Sequence, residues 1–199
     1  MNIGLIGAGA IGTAIARALS RSGMKISIAN SRGPASLAGL VAELGPLARA
    51  VTVKEAAQAD LVFLAVNWSR IPAALEGLGS WEGRILVDAN NPIEAPAFQP
   101  VDLHGLSSSE VVAGLAPGAR VVKGFNHLQP ALLAGDPRAE GGQRVLFLAG
   151  DDRQAKSEVA SLAGRLGFGA IDLGGLAESG RLIQFPGGAL TALNLVRFG

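Results

Sequence analysis

The stretch "GLIGAGAIGTAIARAL", residues 4–19, holds Gly7, Gly9 and Gly12 in the order G-x-G-x-x-G. Spacing alone makes this a weak signal, and a glycine-rich turn that binds nothing is the alternative. The setting decides the reading. An apolar run precedes the glycines, and after them Ile11, Ile15, Ala18 and Leu19 recur on one helical stripe, with Gly23 placed to end the helix. In a strand–loop–helix junction of this kind Gly7 permits the tight turn, Gly9 lets backbone approach a pyrophosphate, and Gly12 lets the helix pack close to the strand. The start of the helix then presents unpaired N–H groups and a positive dipole end to the phosphates.

About twenty residues further on, "ISIANSRGP" (residues 26–34) ends the second strand where the adenosine ribose of a bound dinucleotide lies. An acid there accepts hydrogen bonds from both ribose hydroxyls of NAD and repels a 2′-phosphate. This stretch has no acid. Asn30 and Ser31 are polar, and Arg32 brings a guanidinium fork matched to phosphate, so the residues select NADP(H). A plain polar turn is the other reading of "NSRGP". Pro34 is placed to begin the next helix.

Working outward, short apolar runs recur as "NIGLIG", "KISIAN", "LVFLAV", "RILVDA", "ARVVKGF", "RVLFLAG" and "GFGAIDL", each reading as a strand buried on both faces, with helical spacing between them. The alternation predicts an α/β fold: a Rossmann-type, doubly wound, mostly parallel sheet covered by helices. "SSSEVVAGLAPG" reads as a helix with a Ser107–Glu110 capping box. The likeliest seam is the Pro- and Gly-rich stretch 126–143, and the expected organisation is an NADP-binding domain over 1–125. A short C-terminal α/β extension over 126–199 continues the sheet. Pro186-Gly187-Gly188 should break any helix begun in "ESGRL".

Composition excludes several function classes. The chain of 199 residues is 49% hydrophobic with a net charge of +1, which gives no footprint for nucleic acid or an anionic membrane. It has no cysteine and only His104 and His127, too few for a zinc centre, so no metal is expected. No apolar run reaches a membrane span, and Met1 leads straight into "NIGLIG" without a leader pattern. A cytoplasmic protein is the expectation.

With those residues in hand, the chain resembles the NADP oxidoreductases that use the deazaflavin coenzyme factor four-twenty, together with their bacterial relatives and the reductase domain of the STEAP metalloreductases. The resemblance runs through "GLIGAGAIGTAIARAL", "NSRGP", "LVFLAVNW", "ILVDANNP", "VVKGFNHL" and "AGDDRQAKSEV…LGFGAIDLGGLAESGRL". It implies a compact, often dimeric protein passing hydride between NADP(H) and a flavin-like ring. Carried residue by residue, it implies that Gly7, Ala8, Gly9, Ala10, Ile11 and Gly12 hold the pyrophosphate and that Asn30, Ser31 and Arg32 surround the 2′-phosphate. Ala65, Val66, Asn67 and Trp68 then border the dinucleotide, Asn90, Asn91 and Pro92 line the nicotinamide side, and Asn126 and His127 stand beside the acceptor ring. In the deazaflavin-specific enzymes a histidine falls at the place of Asn126, whereas here it comes one residue later, so a flavin is as good an expected acceptor as deazaflavin.

Ring-to-ring hydride transfer needs alignment and exclusion of water more than an acid–base pair, which suits a site built of amides and apolar groups. His127 reads either as an acceptor-site residue or as a structural hydrogen-bonding group. Lys123 sits on a strand, away from any helical substrate domain of the kind that hydroxyacid dehydrogenases use with a catalytic lysine. Asp151 and Asp152 precede a helical pattern, where acids cap. The leading function is an NADPH-dependent oxidoreductase acting on a small-molecule acceptor, with a non-catalytic NADP(H) sensor or scaffold and a small carbonyl or imine reductase as alternatives. A homodimer is expected from the resemblance and from the apolar end "GALTALNLVRF", which could equally be core.

Overall fold

In the computed structural model, residues 1–94 and 98–199 are described. The chain begins with β1 (Ile3–Ile6), the glycine loop and α1 (Ala10–Arg21), then β2 (Ile26–Ala29), a 3₁₀ turn from Pro34, α2 (Ala38–Leu44) and β3 (Ala48–Ala50). The single turn α3 (Val53–Ala56) leads to β4 (Leu61–Leu64), a 3₁₀ turn over Trp68–Arg70, α4 (Ile71–Leu75) and β5 (Ile85–Asp88). A small hairpin of β6 (Ile93–Glu94) and β7 (Gln99–Pro100) precedes α5 (Ser108–Leu115) and β8 (Arg120–Lys123). The rest comprises α6 (Pro130–Ala134), β9 (Arg138–Ala139), β10 (Gly142–Gly150), α7 (Arg153–Arg165), β11 (Gly169–Asp172), α8 (Leu176–Leu182) and β12 (Val196–Arg197).

The strands lie in the order β3-β2-β1-β4-β5-β8-β10-β11. From β3 to β8 every pair is parallel; β10 joins β8 antiparallel, and β11 runs parallel to β10. Buried apolar strands force this layering, because successive side chains point to opposite faces and both faces need cover. Leu5 and Phe63 enter the core under α1 and α7, and Ile6 and Leu64 enter the core with Trp81 and Val112 on the other side. The chain winds outward from β1 in both directions, which leaves a crevice beyond the carboxyl ends of β1 and β4.

All seven apolar runs are strands, and the Ser107–Glu110 capping box is formed. Asp152 is the N-cap of α7, its carboxylate accepting from the Ala155 amide at 2.6 Å, while Asp151 accepts from Leu176 at 2.9 Å. Apolar patterning did not signal three strands of the sheet: the two-residue β9 and β12, which pair with β10, and β3, a three-residue edge strand with Arg49 exposed, too short and too polar to stand out. The helix begun in "ESGRL" ends at Leu182, before Pro186. Beyond it the chain forms turns and the two-residue β12, which pairs with β10.

Contacts at the glycine loop fix which glycine is indispensable for folding. A methyl group on Gly12 would stand 2.1 Å from the Gly7 carbonyl oxygen, whereas one on Gly9 would meet nothing within 4 Å. Gly12→Ala is therefore expected to destabilise the fold by about 2 kcal/mol or more, and Gly9→Ala by less than about 1 kcal/mol. Thermal or urea unfolding of the two variants checks this, and equal effects would contradict the packing argument.

Candidate functional site

The crevice is a cleft of about 940 Å³ bounded by the glycine loop, the end of β2, the end of β4 and the turn after α4. Its floor is set by backbone contact: Gly7 adopts φ +107°, and a side chain there would collide with the Ala65 carbonyl oxygen at 2.1 Å and with Val66 Cγ1 at 2.9 Å. Ala8 and Gly9 line the opening, where the space beside Gly9 is free. Ala10 and Ile11 begin α1 and Gly12 packs it down. Gly9 caps the helix without a side chain, and no acid occupies the first turn, so the helix start presents its free amides and positive end. These features fit a dinucleotide pyrophosphate.

At the end of β2, Asn30 shapes the turn. Its Oδ1 accepts from the Arg32 amide at 2.9 Å and its Nδ2 donates to Ser36 Oγ at 2.9 Å. Ser31 and Arg32 are left exposed on the cleft. Two cations not anticipated from the sequence, Lys54 and Arg70, line the same cleft, against the single acid Glu76. Among the described residues none of these three cations is in an ion pair. Glu55, next to Lys54, is occupied with capping α3 through Thr52. Lys54 follows β3, so overlooking that strand also hid the lysine. Arg70 ends the turn after β4, a place the G-x-G-x-x-G pattern does not specify.

The other expected residues gather at the carboxyl ends of β4, β5 and β8. Asn67 is exposed and starts the 3₁₀ turn, Trp68 packs half-buried against the core, and Ser69 is tied to Glu94. Asn90 is buried with its amide committed to main chain and carboxylate: Oδ1 accepts from Val66 N at 2.8 Å, while Nδ2 donates to Leu64 O at 3.0 Å and Asp88 Oδ1 at 2.8 Å. Pro92 is buried beside it. Asn91 and Asn126 are mutually bonded, Asn126 Nδ2 reaching Asn91 Oδ1 at 2.9 Å and Asn91 Nδ2 reaching the Asn126 carbonyl at 2.9 Å. The C-terminal segment docks on this pair, with Ile183 O accepting from Asn126 Nδ2 at 2.6 Å and Phe185 N donating to Asn91 Oδ1 at 3.0 Å.

Beneath these amides lies a fully buried ion pair, Lys123 with Asp88 at 3.1 Å. Lys123 Nζ also donates to Ser108 Oγ at 3.0 Å and to the Asn90 carbonyl, so all three of its donors are used. Burial pulls the Lys123 pKa below its ordinary value, and the Asp88 charge pulls it back up. Apolar strand patterning conceals both residues, because each sits inside a run read as core.

His127 is buried, edge-on to Phe147 with centroids 5.1 Å apart, and its Nε2 faces the Phe147 amide at 3.5 Å. Burial, with a smaller push from the Lys123 charge, lowers its pKa to about 4. Histidine is therefore neutral at neutral pH and placed inside the fold. His104, by contrast, is on the surface beside Asp102. Among the described residues no cluster of three or more His, Cys, Asp or Glu stands ready to hold a metal.

Because the folded-state pKa of His127 lies below the unfolded value of about 6.5, the unfolded chain binds the proton more readily. Stability from this residue is full above about pH 6.5 and is lost as pH falls towards 4, by on the order of 2–3 kcal/mol. Unfolding free energies measured from pH 7 to 4 should show this slope in the wild type and lose it in His127→Gln. An equal slope in both would place the titration elsewhere.

The chain compares with known proteins as this geometry suggests. Residues 2–92 match the sequence profile of the family described as NADP oxidoreductase, coenzyme F420-dependent. A hypothetical protein of Sinorhizobium meliloti has 48% identity and a TM-score of 0.94 over 99% of this chain and 96% of its own. A putative F420-dependent NADP-reductase of Arthrobacter has 33% identity and a TM-score of 0.75 over 88% of this chain and 86% of its own. The metalloreductase STEAP3 of Rattus norvegicus is 32% identical over 186 residues, 92% of this chain, which spans 36% of that longer protein. No described helix is long and apolar enough to cross a membrane. With the profile over residues 2–92 and the Arthrobacter protein covered over most of its length at 33% identity, the chain belongs to the family of NADP oxidoreductases of the coenzyme F420-dependent type.

Proposed function

We propose that the protein binds NADP(H) along the carboxyl ends of β1, β2 and β4 and passes hydride between the nicotinamide and a flat acceptor, a flavin or deazaflavin. The observation that carries the reading is the turn after β2, where Ser31 and Arg32 open onto the cleft of the glycine loop with no acid on the turn itself. Gly7 to Gly12 hold the pyrophosphate, and Ser31 with Arg32 holds the 2′-phosphate, Lys54 adding charge to the same cleft. Ala65 to Trp68 form one wall. Asn90 shapes it from behind, and Asn91 and Pro92 face the nicotinamide. NADPH supplies the hydride, and the chain's own residues bind, align and exclude water.

On this reading residues 1–125 bind the dinucleotide and 126–199 complete the acceptor side. Support comes from Ile183 and Phe185, which close over the Asn91–Asn126 pair and leave Phe185 37% exposed as a surface for a flat acceptor. Asn126 is the acceptor-side residue, and His127 supports it from within. A carbonyl or imine reductase needs a proton donor, and a buried histidine titrating at about 4 supplies none at neutral pH. The exposed Leu193, Leu195 and Phe198 support a homodimer through the C-terminal segment.

Equilibrium titration should show NADPH binding well ahead of NADH. Arg32→Ala and Lys54→Ala should each weaken NADPH roughly ten-fold while changing NADH less than about two-fold. Loss of both nucleotides alike would overturn the phosphate assignment. In steady-state assays NADPH oxidation should appear with FMN or deazaflavin, and Phe185→Ala should raise the acceptor KM several-fold with NADPH affinity unchanged. Binding without turnover against flavins, deazaflavin, ferric chelates and quinones would instead make the protein a dinucleotide sensor. Light scattering should give twice the chain mass, and a monomer at micromolar concentration would remove the dimer.

A further inference from the structure

We propose that the buried Lys123–Asp88 pair is a positioning device for NADP(H): it anchors the Asn90 amide, and through it the cleft wall that rests on the glycine loop. The inference depends on the dinucleotide reading above.

The reasoning follows hydrogen-bond polarity. The two ends of a side-chain amide are nearly equal in size, so a buried asparagine is oriented only by the donors and acceptors around it. Asn90 stands between the Val66 N–H, a pure donor, and Asp88 Oδ1, which accepts from both Asn90 Nδ2 at 2.8 Å and Asn90 N at 3.0 Å. An ionised Asp88 can only accept, so the NH₂ end of Asn90 must face it and Oδ1 must face Val66. The Val66 N–H and the Leu64 carbonyl demand the same orientation, so Asp88 adds a side-chain acceptor that anchors the amide in it. Lys123 holds that acceptor in place. Its ammonium, held by Ser108 Oγ and the Asn90 carbonyl, lies 3.1 Å from Asp88 Oδ2, and Ser109 Oγ donates to the same oxygen at 2.6 Å.

The consequence reaches the ligand site through main chain. Val66, held by Asn90, belongs to the segment whose carbonyl at Ala65 touches Gly7 so closely that no side chain fits there. Asn90 Nδ2 also donates to Leu64 O at 3.0 Å, so both sides of that segment are held by one amide. A buried ion pair is poor at adding net stability and effective at selecting one arrangement over its alternatives, which suits this role.

Two double variants separate positioning from folding. Asp88→Asn with Lys123→Met removes both charges and keeps an acceptor for Asn90; Asp88→Leu with Lys123→Met removes the acceptor as well. Neither leaves an unpaired buried charge, so both should fold, the second with a lower thermal midpoint because Asn90 N, Asn90 Nδ2 and Ser109 Oγ lose their acceptor. NADPH dissociation constants, measured well below both midpoints, should differ: within about three-fold of wild type for the first pair, and raised about ten-fold or more for the second. Asn90→Ala, a single buried truncation, should raise the constant about as much, and adding it to Asp88→Leu/Lys123→Met should cause little further loss. Wild-type affinity in Asn90→Ala, or equal affinity in the two double variants, would overturn the positioning role alone. Failure of the wild-type chain to bind NADPH would instead overturn the dinucleotide reading.

Discussion

Between Gly7 and Ala65, and again between Gly12 and Gly7, main chain meets main chain with no room for even a methyl group, since an added Cβ would stand 2.1 Å from a carbonyl oxygen in each case. Three segments converge there: the end of β1, the start of α1 and the exit from β4. The convergence places the positive end of α1 at the mouth of the crevice, and it makes the exit of β4 a wall of the same crevice. A chain with side chains at those two points would push α1 away and lose both features together. The open space beside Gly9 follows from the same geometry, because the loop passes over the contact and turns its outer side to the cleft.

Charge is distributed to match. The chain is nearly neutral overall, with a formal charge of +1, so an anion-binding site must be local. Arg32, Lys54 and Arg70 place positive charge along one cleft, while the acid nearest Lys54 in sequence, Glu55, is spent on a helix cap. Inside the fold, burial acts in opposite ways on two neighbours. Lys123 is buried with a full set of partners, whereas His127, whose Nδ1 has no partner among the described residues, has its proton affinity lowered by desolvation and by the lysine. The carboxyl ends of β5 and β8 consequently carry neutral amides resting on an internally compensated pair.

Much of this was readable in the sequence, and what was hidden had physical causes. Strands buried on both faces announce themselves by unbroken apolar runs, so seven of them and the glycine loop stood out. β3 did not, because an edge strand of three residues with an exposed arginine has no such signature, and Lys54 went unplaced with it. The turn at Asn30–Arg32 was legible because its distance from the glycines is set by one helix and one strand. Asp88 was seen only as a member of an apolar run and Lys123 only as a weak candidate catalytic lysine, since pairing between residues 35 apart depends on β5 lying next to β8 in parallel register, Asp88 opposite Lys123. The amides at Asn90, Asn91 and Asn126 were visible as strand ends, but a sequence does not say that Asn90 turns inward to main chain while Asn91 and Asn126 bond to each other.

The glycine loop and the Asn91–Asn126 pair are built from different materials, and this separates what each can vary. The glycine-loop end depends on backbone contacts and a helix terminus, which tolerate no side chain at Gly7 or Gly12 and little displacement. The other end depends on Asn91 and Asn126, whose remaining bonds go to Ile183 and Phe185, residues of a segment that enters no helix and contributes mainly main-chain groups to those bonds. Side chains in that segment can change without altering which main-chain atoms meet the asparagines, and nothing at the glycine loop touches them directly. The connection between the ends is Asn90, anchored to β5 and holding the exit of β4. A fold arranged in this way can keep the geometry of the glycine loop while the surface beside it changes, since the change falls on side chains of the last segment and the constraint falls on main chain of the first.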